Sequence, residues 1–520
     1  MNDTEKNKLD NLDSYSNESH DFNKNKKYER TIVKANTNIN NKSDTAINKV
    51  KNSNIKLYPS QERAVQQLED WYKSNELFCT LEGYAGTGKT FIMKYFIENI
   101  IDKTWTISAP THKALRVLEN TVNHKGKTLH SLLGLKPNVD LTTFDPTNPQ
   151  YDQLSDLKIV NYKIVLLDEC SMVNTGLFNR ITKVCANHKI KVLYIGDSLQ
   201  LPPVKENMSP TFATIKRKVV LDTIVRQEEG NPLLELFSLI RYDIQNKGNT
   251  FLNYIINNRS NIINDRGYEL LYKEDFKSKC IEEIGSESFI GNNKKGIPYN
   301  TDYIRILSYT NNNVLNWNQY VRNNLLGDNL PVVCMNDLFT SYNTIMNEFS
   351  EPIILNSEDY IIYELIDYVS DEGIKTFGVN LQSMYDERKT DPFLIVDHTD
   401  ASFNLYKRVL QTLYINGLKR IGGGWKAYYN FKNRFLTLIP VVIHDAYGNE
   451  KVIKKDIDYG FGLSVHKSQG STFDNVAVDL TDITWYQSSK GYKKAYDINM
   501  RNRLIYVALS RARKKAILKY

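Results

Sequence analysis

Cysteine is scarce in this chain and scattered: Cys79, Cys170, Cys185, Cys280 and Cys334 are odd in number and form no C-x-x-C pair. That argues against a disulfide framework or a cysteine zinc site and for a reducing environment. Long apolar runs are missing too. No stretch is long enough to cross a bilayer, and the N-terminus has no signal-peptide core, so a cytoplasmic protein with no membrane partner is expected. Proline (14) and glycine (25) are sparse for 520 residues, while Lys, Asn, Ile and Tyr abound, a bias that fits an AT-rich genome. Excess charge is also small. A net charge of +7 permits a polyanionic partner without requiring one.

What is present begins with length. A chain of 520 residues exceeds one ordinary domain, and 41% apolar content suffices for packed cores. Residues 1–54 are mostly Asn, Lys, Ser and Asp and bury too little to offset ordering entropy, so a disordered tail is expected. The alternative is a basic arm gripping nucleic acid, which Asp3, Glu5, Asp10, Asp13, Glu18 and Asp21 oppose. From Ile55 onward strand-like runs alternate with helix-like ones. Trp105–Ala109, Ile164–Leu167, Val192–Ile195, Ile304–Leu307 and Val476–Leu480 are the strands of an α/β fold with parallel sheets. Between about 330 and 455 short β-like pieces alternate with polar turns, the pattern of a β-rich insertion.

Gly83-Tyr84-Ala85-Gly86-Thr87-Gly88-Lys89-Thr90 fits the phosphate-binding loop G-x-x-x-x-G-K-[ST]. Its glycines let successive N–H groups face a phosphate, Lys89 adds a point charge, and the Thr90 hydroxyl suits Mg²⁺. A strand-like run, Leu77–Leu81, enters the loop and a helix-like run, Phe91–Ile97, leaves it. Asp168-Glu169 closes the apolar strand Ile164–Leu167, where ligands of open α/β sheets sit. Asp168 is placed to hold Mg²⁺ and Glu169 to polarise an attacking water. Gln200, just past the next strand, can hydrogen-bond a γ-phosphate or that water. Arg511 follows an apolar segment and can act as an arginine presented from a second domain, with Arg226 a second such residue. For a lone arginine, the plain alternative is a surface ion pair.

Three further segments join hydroxyls with His or Lys at turns, as phosphate-backbone contacts do. They are Ala109–Ala114 with Pro110, Thr111 and His112; Thr128–Ser131 with His130; and Ser464–Thr472 with His466, Lys467, Ser468, Gln469 and Gly470. Any one of them alone reads more simply as a capped helix start.

Taken in order, these segments resemble superfamily 1B DNA helicases of the Dda and RecD-like kind, over about residues 55–520. Gln61 is similar to that family's adenine-reading glutamine, Gly83–Thr90 to its motif I, Asp168-Glu169 to motif II and Gly196–Pro203 to motif III. Arg226 matches motif IV, Ser464–Thr472 motif V and Tyr506–Arg513 motif VI. The resemblance implies two RecA-like domains, at 55–215 and at 216–330 plus 456–520, with ATP and Mg²⁺ in the cleft. Ala85, Gly86, Thr87, Gly88 and Gly470 would line the ATP site. Single-stranded DNA would cross Thr111, His112, Thr128, His130, Ser131, His466, Lys467, Ser468, Gln469 and Thr472. Residues 135–157 would form a β-hairpin pin that meets the fork with Phe144 or Tyr151, and 331–455 an SH3-like insertion. The activity implied is 5′→3′ unwinding driven by ATP, with single-stranded DNA and fork duplex as partners, alongside replication or recombination proteins. A phage-encoded protein acting in a bacterial host fits that kinship. The rival readings are an ATP-driven translocase that strips bound proteins and a non-enzymatic DNA-binding accessory. Lys89, Asp168, Glu169 and Arg511 all count against the accessory.

Overall fold

The computed structural model describes residues 57–137, 151–153, 156–203, 206–223, 230–291, 298–346, 352–370, 372–386, 388–487, 493–495 and 497–520. The expected 1–54 tail, Phe144 and Arg226 lie outside them, and for Tyr151 only the backbone strand is described.

Six parallel strands build the first lobe. Their order is Lys127–Thr128, Trp105–Ala109, Ile164–Leu167, Lys191–Gly196, Phe78–Gly83 and Lys218–Leu221. Its central strands Ile164–Leu167 and Lys191–Gly196 are covered on both faces and buried at every position, whereas the edge strand Lys218–Leu221 alternates. Leu166, Leu193 and Ile195 face one core with Trp71, Ile92 and Phe96. Val165, Leu167, Val192 and Tyr194 face the other with Phe178 and Ile181. Lys191 opens the central strand Lys191–Gly196. Its Nζ donates to the carbonyls of Trp71, Ser74 and Glu76 at 3.0, 2.8 and 2.6 Å, meeting the C-terminus of helix Pro59–Lys73. Lys218–Leu221 pairs with Phe78–Gly83, which carries this lobe past the expected boundary at 215.

The second lobe orders its strands Gly462–Ser464, Ile304–Ser308, Phe473–Asp479, Ala512–Lys519, Arg266–Leu271 and Ser260–Ile263. All its pairings are parallel except the last. Helix Ile498–Leu509 packs beside helix Leu233–Asn246 over this sheet.

The insertion is a third sheet, antiparallel but for the pairing of Phe393–Val396 with Phe435–Leu436. It departs from the expectation in two respects. Two helices, Asp400–Lys419 and Gly424–Arg434, interrupt it with a core of their own around Tyr406, Tyr414, Trp425 and Phe431. Ile457–Tyr459 also pairs with Leu338–Ser341, so the sheet runs beyond 455. Near the first lobe, Leu135–Pro137 pairs antiparallel with Tyr151–Gln153. Among the described residues, no helix is long and apolar enough to cross a membrane.

Candidate active site

The loop between strand Phe78–Gly83 and helix Lys89–Asn99 has the backbone its glycines allow. Gly86 and Gly88 stand at φ 84° and 85°, a region that side chains other than glycine's enter at a cost. Gly83 is confined as well: a Cβ there would lie 2.6 Å from Thr87 Oγ1. Thr87 is buried and donates to the Tyr84 carbonyl at 2.9 Å. Lys89 Nζ lies over the loop, donating to Gly83 O at 2.7 Å and Tyr84 O at 2.9 Å. A helix N-terminus, a lysine and a loop whose Gly83 has no room for a Cβ fit a nucleotide's phosphates.

Asp168 and Glu169 stand at the carboxyl end of strand Ile164–Leu167, two places across the sheet from Phe78–Gly83. Glu169 takes a left-handed conformation, φ 52°, that turns the chain into the short turn Cys170–Met172, and its N–H donates to Asp168 Oδ1 at 2.8 Å. Burial, then the Glu169 carboxylate, pushes Asp168 up to about 7, while Lys89 pulls it down. This pair calls for a cation, and its hard oxygen donors with Thr90 suit Mg²⁺. Among the described residues no three His, Cys, Asp or Glu gather as a metal cluster. A metal at this place would take its remaining ligands from phosphate and water, as Mg²⁺ does.

The second lobe completes the site. Arg511 is 5% exposed and donates to Val507 O and Ser471 O, each at 3.1 Å, and to Ser510 Oγ at 2.9 Å. Burial lowers its pKa, and the carboxylates of Glu169 and Asp197 offset part of that. Gln200 is 5% exposed, and its Oε1 is buried without a partner. Gln61 is buried, with Oε1 accepting the Tyr58 N–H at 3.2 Å, so it caps its own helix.

The segments expected on a nucleic-acid track divide. Pro110, His112, His130, Ser131, His466 and Thr472 are partly exposed. Burial lowers all three histidines, which favours neutral imidazoles. The hydroxyls of Thr111 and Thr128 are instead helix caps, accepting from Ala114 N at 3.2 Å and Ser131 N at 3.3 Å. Ser468 is fully buried and donates to Val465 O at 2.8 Å, and Gln469 is 7% exposed. Lys467 turns into the third sheet. Its Nζ donates to Ser341 O, Asn356 Oδ1 and Ser357 Oγ at 3.1, 3.0 and 3.2 Å, and burial pushes it down to about 7. Gly470, expected at the ATP, lies on the seam of the two lobes. Its φ is 73°, and a Cβ there would stand 2.9 Å from Ala114 Cβ.

Sequence reasoning missed the residues that join the lobes. Arg503 Nη1 donates to Ser198 O at 2.8 Å and Gln200 O at 2.7 Å. Tyr506 reaches both Asp197 and Ala85. Arg241 lies 4.5 Å from the Tyr84 ring centroid. Arg116 contacts Glu358 and stacks 4.5 Å over Tyr385 in the third sheet. A faint signal existed for Arg503: it directly precedes the apolar run Leu504–Leu509 of the same helix.

Residues 56–252 match the family described as AAA domain, and 459–518 the family described as UvrD-like helicase C-terminal domain. The chain is 26% identical over 456 residues to an uncharacterised protein of Acanthamoeba polyphaga mimivirus, covering 78% of this chain and 89% of that one. It is 27% identical over 159 residues to the ATP-dependent DNA helicase dda of Enterobacteria phage T4, covering 30% of this chain and 35% of the relative. It is 22% identical over 507 residues to the RecBCD enzyme subunit RecD of Buchnera aphidicola, covering 85% and 70%. A solved Pif1 helicase from Bacteroides, in complex with ADP-AlF3 and ssDNA, aligns at 16% identity over 87% of this chain and 91% of that one, with a TM-score of 0.43.

Proposed function

We propose, for a chain that belongs to the Pif1- and RecD-like superfamily 1B helicases, that it is a 5′→3′ DNA helicase which steps along single-stranded DNA and unwinds duplex. One observation carries this: Lys89, Asp168 and Glu169 on one lobe stand at a seam that Arg511, Arg503 and Tyr506 close from the other. A nucleotide site split between two lobes converts hydrolysis into relative motion, which a site within one lobe does not.

ATP with Mg²⁺ supplies the phosphoryl group and the charge that neutralises it. The loop N–H groups and Lys89 would hold the phosphates, and Thr90 and Asp168 would hold the metal. Glu169 orients a water and takes its proton at the carboxylate. Arg511 brings positive charge to the phosphate end when the lobes close. Gln200 hydrogen-bonds at the same end, with Arg226 as a second arginine there and Gln61 reading the base. The DNA track runs past His112, His130 and His466 as neutral hydrogen-bonding groups. The hairpin founded on Leu135–Pro137 and Tyr151–Gln153 serves as the pin, and the third sheet as the SH3-like accessory module.

Strand displacement on tailed duplexes tests the proposal. Duplexes with a 5′ single-stranded tail should be unwound with ATP and Mg²⁺, while blunt and 3′-tailed ones should be poor substrates. A preference for 3′ tails would overturn the polarity. Single-strand-stimulated hydrolysis without unwinding would leave the protein-stripping translocase in its place.

A further inference from the structure

Tyr506 belongs to the second lobe, on helix Ile498–Leu509, and is 1% exposed. Its hydroxyl donates to Asp197 Oδ2 at 2.5 Å and accepts the Ala85 N–H at 3.2 Å. Both partners are on the first lobe: Ala85 inside the phosphate loop, Asp197 just past strand Lys191–Gly196. Asp197 is 1% exposed, and its Oδ1 accepts the Leu199 N–H at 2.9 Å, which fixes the carboxylate on the segment that carries Gln200. Burial, then Asp197, keeps the phenol protonated, so it remains a donor. A single oxygen thus links the phosphate loop, the Gln200 segment and the other lobe. Charge-assisted bonds of this kind are short and strong, and they break when either end moves.

We infer that Tyr506 is a positioning residue that transmits the state of the phosphate loop to the seam between the lobes. The Ala85 N–H belongs to the loop that would cradle the phosphates. Filling the loop changes what that N–H meets, and the change reaches Asp197 through the Tyr506 hydroxyl. Tyr506→Phe removes that oxygen and keeps the buried ring. The inference rests on the helicase reading, because it needs a nucleotide and a single strand as its two ligands.

The test is the affinity for a labelled oligothymidylate without nucleotide, with ADP, and with a non-hydrolysable ATP analogue plus Mg²⁺. In the wild-type protein, the dissociation constant should change by roughly fivefold or more between nucleotide states, the usual range of coupling between sites. In Tyr506→Phe the ratio should fall below about twofold. A role confined to stability would lower the melting temperature and shift all three affinities together, leaving the ratio intact, and that result would overturn the inference. Asp197→Ala cuts the same chain from its other end and should collapse the ratio equally. Combining the two changes should add nothing further. If Tyr506→Phe fails to fold, Asp197→Ala decides: a wild-type ratio in that variant overturns the proposal. Absence of nucleotide binding by the wild-type protein would instead remove the helicase reading itself.

Discussion

Arg503 fastens one lobe to the other by donating from a single guanidinium nitrogen to the carbonyls of Ser198 and Gln200. The bond sits where Gln200 would face a nucleotide, so lobe contact and site geometry share one anchor. Burial lowers the pKa of Arg503, and Asp197 offsets part of that.

Arg503→Ala should therefore leave two carbonyls unpaired and loosen the Gln200 segment. Hydrogen bonds to a charged group contribute about 1.5–3 kcal/mol each, and an unsatisfied buried acceptor costs a similar amount. Expected outcomes are a lower melting temperature and weaker single-strand stimulation of ATP hydrolysis. Unchanged stimulation, measured by phosphate release with and without oligothymidylate, would make the contact incidental.

Glu169→Gln should bind nucleotide and lose turnover. Asp168 and the loop are untouched, and glutamine keeps the shape while giving up proton acceptance. The expected loss is about 10²-fold or more in turnover, the range for general bases. Fluorescent-nucleotide titration beside steady-state hydrolysis separates the two properties. Turnover within a few-fold of wild type would take the role away from Glu169.

Gly470→Ala should wedge the lobes apart. The added Cβ meets Ala114 Cβ at 2.9 Å, and φ of 73° adds strain of roughly 1–2 kcal/mol. Adding Ala114→Gly relieves the collision but not the backbone strain. The double variant should recover more DNA-stimulated hydrolysis than melting temperature. Equal recovery of both would mean that the clash is not what matters.

His398, just past strand Phe393–Val396 of the third sheet, gives an acid-sensitivity prediction. Burial pushes it down from 6.5 to about 4, and its Nε2 is buried without a partner. The folded state therefore refuses a proton that the unfolded state accepts. Stability from this group is complete above about pH 6.5, declines as pH falls toward about 4, and levels off below that. At about pH 5 the loss is roughly 2 kcal/mol. Urea midpoints at about pH 7 and about pH 5 should differ less in His398→Gln than in the wild-type protein. Equal differences would show that His398 is accessible to protons in the folded state.

A pin at residues 135–157 would split work from fuel. Replacing Phe144 and Tyr151 by alanine should slow strand separation more than single-strand-stimulated hydrolysis, because stacking on bases contributes roughly 1–3 kcal/mol per base. Equal losses would move the pin elsewhere.

Local chemistry made much of this protein legible in its sequence. Ile164–Leu167 was readable as a strand to the residue, because four apolar side chains buried on both faces suit a parallel sheet and little else. The phosphate loop was equally plain, since its glycines, lysine and threonine serve one short stretch of backbone. The two helices inside the insertion were missed, though Trp425, Tyr428 and Phe431 lie at helical spacing there.

What the tertiary structure alone decided is which distant groups meet. Ala85 and Tyr506 are 421 residues apart, and nothing in the period of either segment names the other. The same holds for Lys467, a plausible phosphate ligand by type, which the fold commits to Ser341, Asn356 and Ser357. It holds for Lys218–Leu221 too, whose alternating burial marks a strand but not the sheet it joins. Propensity and periodicity act over a few residues and fix elements and their faces. Partners across the seam are chosen by packing of whole lobes, where each buried donor takes the acceptor that the rest of the fold brings within reach.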